Sequence, residues 1–299
     1  MTRALLIVNP TASRVTPELT DAVAETLAAG GEVETVATQG PGHARELAEA
    51  STGYDRVYVF SGDGGFNETV NGMRGDVPIG FVPGGGTSVL PRALGLPHDA
   101  LEAARILART SAVRRISLGR ANGRRFTFSA GLGLDAELVR AVDGLGRHAT
   151  GRPGDVAFAA MLARLLIEHR ARFRPSMTVR GRGRVAFALA ANCDPYPYLG
   201  RLPVHVAPLA HFEDGLDVVA PRGLAPWQLP RLAAWVLGWP GQHHSAEVLY
   251  LRDRDLVEID CDDPTPLQVD GEDLGDVTEA VFEADRDALS VLVSGTNAP

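Results

Sequence analysis

Two consecutive apolar runs in this chain each end in a glycine-rich turn that leads into a helix-like segment. Val57–Phe60 runs into the turn Ser61–Gly65, which a short helical segment follows. Val77–Val82 runs into Pro83–Ser88 in the same way. Two such units predict one parallel sheet with both turns at the same edge. Glycine lets the backbone approach a ligand, and a helix start offers free N–H groups to phosphate, so this edge is predicted to bind phosphate.

Asp63 lies in the middle of the first turn. A carboxylate next to phosphates is favourable mainly when Mg²⁺ or a water lies between them, so the turn indicates a nucleotide site with a metal. The turn is not a P-loop, because no Gly-Lys-Ser/Thr follows it, and its glycines lack the dinucleotide spacing. A turn that only packs a helix tightly against a strand is the alternative.

The alternation of strands and helices predicts two domains in this chain of 299 residues. Residues 1–120 are predicted to form an α/β domain with a parallel sheet, which a third strand, Ala4–Val8, opens. Residues 121–299 are predicted to form a β-rich sandwich, with the last strand returning to the first domain as the resemblance described below implies. The strands predicted there are Phe126–Ser129, Met177–Val179, Val185–Ala191, Val204–Ala207, Asp217–Val219, Glu247–Leu251, Leu256–Ile259, Leu267–Val269, Ala280–Glu283 and Leu289–Val293. Helical segments are predicted over Val156–His169 and Ala225–Gly238.

Composition excludes several classes of protein. The net charge of −8 argues against a nucleic-acid binder. All 29 basic residues apart from histidine are arginine, so a phosphate clamp would have to be arginine. Cys193 and Cys261 lie far apart, which is typical of a reducing cytoplasm and gives no cysteine metal site. No run reaches about 18 apolar residues, so no membrane-spanning segment is expected.

The chain resembles the diacylglycerol kinase catalytic family, bacterial lipid kinases related to sphingosine kinases. Seven blocks carry the resemblance, in order along nearly the whole chain: Asn9–Ser13, Thr38–Ala44, Ser61–Gly72, Pro83–Arg92, Phe128–Ala136, Asp214–Asp217 and Asp270–Glu272. It implies a phosphofructokinase-like nucleotide domain and ATP bound in the cleft between the domains. The nucleotide-binding residues it implies are Asn9, Pro10, Thr11, Ala12, Ser13, Thr38, Ser61, Gly62, Asp63, Gly64, Gly65, Phe66, Asn67, Gly86 and Thr87.

Three departures from the family pattern bear on nucleotide binding. Ser61 stands where the signature has its first glycine, and Gly65 stands where it has threonine. Ser88–Pro91 replaces a segment that usually begins with asparagine. The loss of a threonine hydroxyl and an asparagine amide is expected to weaken nucleotide binding. The kinase would then be slow or altered.

Two acidic turns in the second half are assigned roles by the resemblance. Asp270-Gly271-Glu272 would be the base site, with Glu272 accepting the hydroxyl proton and Asp270 as its partner or a metal ligand. An ordinary Asp-Gly hairpin turn is the alternative. Asp214 would hold Mg²⁺ through its carboxylate, with backbone carbonyls of His211 and Leu216, since a hard cation prefers oxygen. A simple turn before a strand is the alternative there.

Membrane contact is expected because a lipid acceptor lies in a bilayer. Six arginines without an acidic neighbour lie in His169–Arg174 and Arg180–Arg184, which suits either anionic headgroups or plain solvation. Trp227, Trp235 and Trp239 suit either a core or a lipid-facing lip. We expect a cytoplasmic enzyme at the inner membrane face, with homodimerisation as a further expectation.

The sequence thus predicts an ATP-dependent, Mg²⁺-dependent lipid kinase. Its acceptor would be diacylglycerol or a related lipid alcohol. The alternatives are an NAD kinase-like or phosphofructokinase-like enzyme, and a catalytically degenerate lipid-binding protein.

Overall fold

The computed structural model describes residues 2–146, 155–196, 198–199 and 202–295. The chain divides into two compact units. The first comprises Met1–Ile116 together with Asp287–Pro299, and the second comprises Ser117–Arg286.

The first unit is built on parallel strands with helices between them. The strands are β1 (Arg3–Val8), β2 (Glu32–Ala37), β3 (Arg56–Ser61) and β4 (Ile79–Pro83), in the spatial order β2-β1-β3-β4. The helices are α1 (Pro17–Ala28), α2 (His43–Glu49), α3 (Asp63–Gly72), α4 (Val89–Ala93) and α5 (Ala100–Arg109). The inner strands are buried along nearly their whole length, as both faces of a parallel sheet require. The α/β prediction for this unit is confirmed.

The second unit is rich in antiparallel strands, and this prediction is also confirmed. Its strands are β5 (Val113–Ala121, which starts in the first unit), β6 (Arg124–Phe126), β7 (Ser129–Leu132), β8 (Met177–Val179), β9 (Gly183–Val185), β10 (Ala188–Ala191), β11 (Tyr198–Leu199), β12 (Leu202–Pro203), β13 (Leu216–Pro221), β14 (Val248–Arg254), β15 (Leu256–Val269) and β16 (Glu272–Leu292). Its helices are α6 (Leu134–Asp143), α7 (Asp155–Glu168) and α8 (Leu229–Val236).

Two long strands differ most from the sequence prediction. The pairs of short strands predicted over 256–269 and 280–293 are each part of one strand, β15 and β16. β15 pairs with β8 through residues 259–261 and with β7 through residues 267–269, so this one strand connects β7 and β8 within the sheet. The end of β16 lies in the first unit, where Val291 pairs in parallel with Ile79 of β4.

Three smaller differences each concern one short segment. The strand predicted over Val204–Ala207 is only an isolated bridge at His205. The run Val185–Ala191 breaks between β9 and β10. The helix predicted over Ala225–Gly238 is a 3₁₀ turn followed by α8, with Pro230 in the first turn of α8, where proline is tolerated.

Candidate active site

The two glycine-rich turns of the first unit pack directly against each other. They follow the carboxyl ends of β3 and β4, which are neighbours in the sheet. A Cβ atom added to Gly85 would lie 2.9 Å from the Cα of Gly62, closer than real Cβ atoms approach a backbone. Gly84 donates its N–H to the Ser61 carbonyl at 2.7 Å. The backbones can meet in this way because both positions lack side chains.

Asp63 and Ser88 tie the two turns together. Asp63 is the first residue of α3, and its Oδ1 accepts the N–H of Leu90 at the start of α4, at 3.3 Å. Ser88 precedes α4 in the left-handed conformation (φ 47°), and its hydroxyl donates to the Gly85 carbonyl at 3.1 Å. Asparagine is among the residues most tolerant of that conformation, which gives a backbone reason for the asparagine that the family pattern usually has here. The Ser88 hydroxyl therefore closes its own turn, whereas Thr87 and Gly86 remain partly or fully exposed.

The loop after β1 lies beside the same turns. The Asn9 Oδ1 accepts the N–H and the hydroxyl of Thr11, and the Asn9 N–H donates to the Phe60 carbonyl. The Arg14 N–H donates to the Gly84 carbonyl at 3.0 Å. The predicted loop residues 9–13 thus come close to both glycine-rich turns.

Arg14 is a candidate that the sequence interpretation missed. Its Nη1 lies 2.9 Å from the Nδ1 of His98, whose Nε2 lies 3.0 Å from the Gly86 carbonyl. A proton on Nε2 satisfies both contacts, with His98 accepting from Arg14 and donating to Gly86. The chain has no lysine, so an arginine directly after the predicted nucleotide loop Asn9–Ser13 was the signal available in the sequence.

Three further predicted nucleotide-binding residues are Phe66, Asn67 and Thr38. Phe66 is fully buried with its ring 5.2 Å from that of Phe81, and Asn67 is also buried. The Phe66 ring packs α3 against Phe81 of β4, and the predicted contact of Phe66 with ATP stays a prediction. Thr38 follows β2, where its N–H donates to the Val8 carbonyl.

In the second unit, Asp270 and Gly271 form the two-residue loop between β15 and β16. Both residues have positive φ, 47° and 78°, as this hairpin turn requires. The Asp270 carboxylate accepts four hydrogen bonds, from the N–H and hydroxyl of Thr127 and from the N–H groups of Phe128 and Ser129. A carboxylate has about four acceptor positions. Asp270 therefore anchors the turn, and its predicted role as partner of Glu272 or as a metal ligand stays a prediction.

Glu272, at the same turn, has an exposed side chain, unlike Asp270. Its side chain is 56% exposed, and its Oε2 accepts from Nη2 of Arg124 at 2.6 Å. Its Oε1 has no partner among the residues that the structure describes. Of the two predicted acids, only Glu272 presents an available oxygen.

A short chain of hydrogen bonds supports this turn from below. The Gly271 N–H donates to Gln268 Oε1 at 2.7 Å, and Gln268 Nε2 donates to Asp135 Oδ2 at 2.5 Å. Burial of the Asp135 carboxyl raises its pKa to about 6, although the hydrogen bond from Gln268 acts in the opposite direction.

The predicted metal residues share one turn before β13. The Asp214 N–H donates to the His211 carbonyl at 3.0 Å, and Leu216 begins the strand. Asp214 Oδ2 lies 3.7 Å from the guanidinium of Arg252. These oxygens suit a hard cation in type, but the His211 carbonyl is already hydrogen-bonded. In the described part of the chain, no group of three or more His, Cys, Asp or Glu side chains could hold a metal ion.

Two arginines of the predicted hairpin tip are paired with acidic residues. Arg180 pairs with Glu258, Asp260 and Glu279, and Arg184 pairs with Asp262. The hairpin tip predicted to be an acid-free positive patch is thus neutralised by β15 and β16, whose acids lie far away in sequence.

The tryptophans divide between core and surface. Trp235 is buried, whereas Trp227 is 75% and Trp239 72% exposed, with Leu237 60% exposed nearby. No helix in the described residues is long and apolar enough to cross a membrane.

Solved structures define the class of fold. A crystal structure of a diacylglycerol kinase from Bacillus anthracis superposes with a TM-score of 0.73 at 18% identity, covering 99% of this chain and 98% of that one. An NAD kinase from Archaeoglobus fulgidus, solved in complex with ATP, superposes with a TM-score of 0.51 at 12% identity, covering 99% and 95%. The fold is therefore a two-unit kinase fold related to that of NAD kinases.

The sequence comparisons show which family the first part of the chain is similar to. Residues 3–121 match the model of the diacylglycerol kinase catalytic domain. A diacylglycerol kinase from Bacillus subtilis is 34% identical over 146 residues, 46% of this chain and 48% of that protein. One from Staphylococcus carnosus is 34% identical over 149 residues, 46% of each. The match thus spans about half the length of these relatives, and residues 3–121 are similar to the catalytic domain of diacylglycerol kinases.

Proposed function

We propose that this protein is an ATP-dependent, Mg²⁺-dependent lipid kinase that phosphorylates the hydroxyl of diacylglycerol or a related lipid alcohol. The observation that carries the proposal is the contact between Gly62 and Gly85, which brings two glycine-rich turns and the start of α3 to one edge of the parallel sheet. Such an edge is where α/β proteins bind phosphorylated ligands. The family match supports phosphoryl transfer from ATP.

The nucleotide would lie against the first unit. The backbone N–H groups of the two turns and of the first turn of α3 would bind the phosphates, with Asn9 and Thr11 beside them. Arg14 is the cation next to Gly84 and Gly86. Among the described residues its guanidinium bonds the ring and carbonyl of His98 and no carboxylate, so its positive charge is available to a phosphate.

Glu272 would accept the proton of the lipid hydroxyl. As that O–H bond breaks, the oxygen forms a bond to the γ-phosphorus and the bond to ADP breaks. Arg124 holds Oε2, which leaves Oε1 to take the proton. The anchored Asp270 fixes the backbone of the turn on which Glu272 stands.

Mg²⁺, when bound, would neutralise the charge that develops on the phosphates. Asp63, at the start of α3, is the residue that would hold it next to the phosphates. Asp214 would hold a second, structural ion with the carbonyls of His211 and Leu216. Oxygen donors are the type that Mg²⁺ requires.

A membrane surface would be the place of action, since the proposed acceptor is a lipid. Trp227, Leu237 and Trp239 expose apolar side chains on one segment. The sequence from Val218 to Ala246 contains no acidic residue. Exposed tryptophan favours the membrane interface, so this segment would be the part that touches the bilayer. The hairpin of Arg180 and Arg184 would not, because acidic side chains neutralise it.

An assay of ATP consumption across acceptor classes tests the function. We expect turnover with diacylglycerol or another lipid alcohol in mixed micelles, and none with NAD or sugar phosphates. Turnover with NAD alone would favour the NAD kinase-like alternative, which the superposition with the Archaeoglobus fulgidus enzyme keeps as the second candidate. Lipid binding without ATP consumption would indicate a degenerate kinase.

A further inference from the structure

The hydroxyl of Ser61 lies against the position that Gly65 leaves empty. A Cβ atom on Gly65 would overlap the Ser61 Oγ and would lie 2.9 Å from the Ser61 Cβ. Rotation of the hydroxyl would relieve only the first overlap, because the backbone fixes the Cβ. A side chain at position 65 is therefore incompatible with serine at position 61.

The same hydroxyl has no hydrogen-bond partner in the described part of the chain. Ser61 is 1% exposed, and its Oγ is buried without a donor or acceptor in the described structure. An orphaned buried hydroxyl costs about 1–3 kcal/mol of stability, so such a group calls for an explanation.

Two further donors border that position. The Asn9 Nδ2 lies 3.6 Å from where the Gly65 Cβ would be. Its orientation is fixed, because Asn9 Oδ1 accepts the Thr11 N–H and the amide group must face the other way. Gly65 itself is in the first turn of α3, whose early N–H groups have no partner within the helix. Hydroxyl, amide and helix start together suit an anion.

We propose that Ser61 and Gly65 act as a coupled pair in which the phosphate-binding hydroxyl is carried by the end of β3 instead of by α3. The signature that this chain resembles has glycine first and threonine fifth, whereas here serine is first and glycine fifth. The hydroxyl has therefore moved across the turn and has not been lost. The ligand that it binds is a nucleoside triphosphate. This inference rests on the proposed function.

The first test separates a ligand role from a structural one. In Ser61→Ala, the affinity for ATP with Mg²⁺ measured by calorimetry should fall about tenfold or more, as for a lost hydrogen bond to a charged group. Adenosine, which lacks phosphates, should bind unchanged. The melting temperature should stay the same or rise, because an orphaned hydroxyl is removed. A lower melting temperature with unchanged ATP affinity would overturn the proposal.

The second test moves the hydroxyl. Gly65→Thr alone should lower the melting temperature by roughly 3–10 °C through overpacking, whereas Gly53→Thr, at an exposed glycine with open space, should not. Ser61→Gly with Gly65→Thr should restore stability and ATP affinity. Ser61→Gly with Gly65→Ala should restore stability but bind ATP about tenfold more weakly. Equal ATP affinity in the two double variants would refute the transfer of the hydroxyl.

These readouts also separate this inference from the proposed function. ATP binding without turnover on any lipid alcohol would overturn the lipid kinase and leave the binding comparison decisive. A wild-type protein that binds no ATP would overturn both. The difference in affinity between the two double variants can also be measured without Mg²⁺ and with inorganic tripolyphosphate in place of ATP. If it persists in both cases, the hydroxyl binds phosphate directly.

Discussion

Replacing Asp135 by asparagine should make the protein more stable at neutral pH and no more stable at pH 4. Burial raises the pKa of this carboxyl from 3.8 to about 6. Below pH 4 the group is protonated in both the folded and the unfolded state, so it contributes no difference. As the pH rises from about 4 to 6, the unfolded state releases its proton first, and the folded state loses stability.

The size of the effect follows from the two pKa values. A rise in pKa from 3.8 to about 6 corresponds to about 3 kcal/mol, lost progressively over this range and fully lost above it. Asparagine is neutral and nearly isosteric. Its Oδ1 can accept from Gln268 Nε2, because Gln268 Oε1 is held by the Gly271 N–H. We therefore expect Asp135→Asn to gain up to about 3 kcal/mol in unfolding free energy at pH 8.

Urea unfolding followed by tryptophan fluorescence measures this change in the right part of the molecule. All three tryptophans, Trp227, Trp235 and Trp239, lie in the second unit with Asp135. Asp263→Asn, at an exposed acid of β15, is the matched control and should show no comparable gain. If wild type and Asp135→Asn lost stability in parallel between pH 4 and 7, the buried carboxyl would not be the cause and the reasoning would be refuted.

Three other variants test the proposed site. Asp63→Asn should remove most turnover while the melting temperature stays near that of the wild type, and near-normal activity would contradict its metal role. Glu272→Gln should lower kcat roughly 10²–10⁴-fold with ATP affinity little changed, whereas Glu283→Gln on the same strand should be active; collapse of ATP binding would mean that the turn serves the nucleotide. Joint replacement of Trp227 and Trp239 by serine should weaken sedimentation with anionic vesicles but spare turnover on a short-chain soluble acceptor, and unchanged sedimentation would refute the membrane-facing role.

Much of the first unit could be predicted because its signals are local. Runs such as Val57–Phe60 are continuously apolar because they are buried on both faces of the sheet. The turns that follow them are recognisable by their glycines. The edge strand β2 went unpredicted since its residues are exposed or half-buried and alternate weakly. The contact between Gly62 and Gly85 depends on two strands being neighbours, which the sequence implied only through the parallel-sheet rule.

The second unit was harder because its decisive interactions join distant residues. The Arg180 side chain meets Glu258, Asp260 and Glu279, about 80 to 100 positions away, so an arginine cluster read alone suggested a free charge. The acids of Asp270-Gly271-Glu272 look alike in sequence. They differ only because Thr127 and its neighbours enclose the first carboxylate and leave the second exposed.

The path of β16 has a consequence for how this protein is made and cut. The strand begins at Glu272 in the second unit and ends beside β4 in the first, where Thr110 donates its hydroxyl to the Val293 carbonyl at 2.7 Å. During synthesis, β4, which ends at Pro83, keeps an open edge until Val291 has been added 208 positions later, and an open strand edge invites wrong partners. A fragment that ends near residue 121, where the family match ends, would carry that open edge permanently.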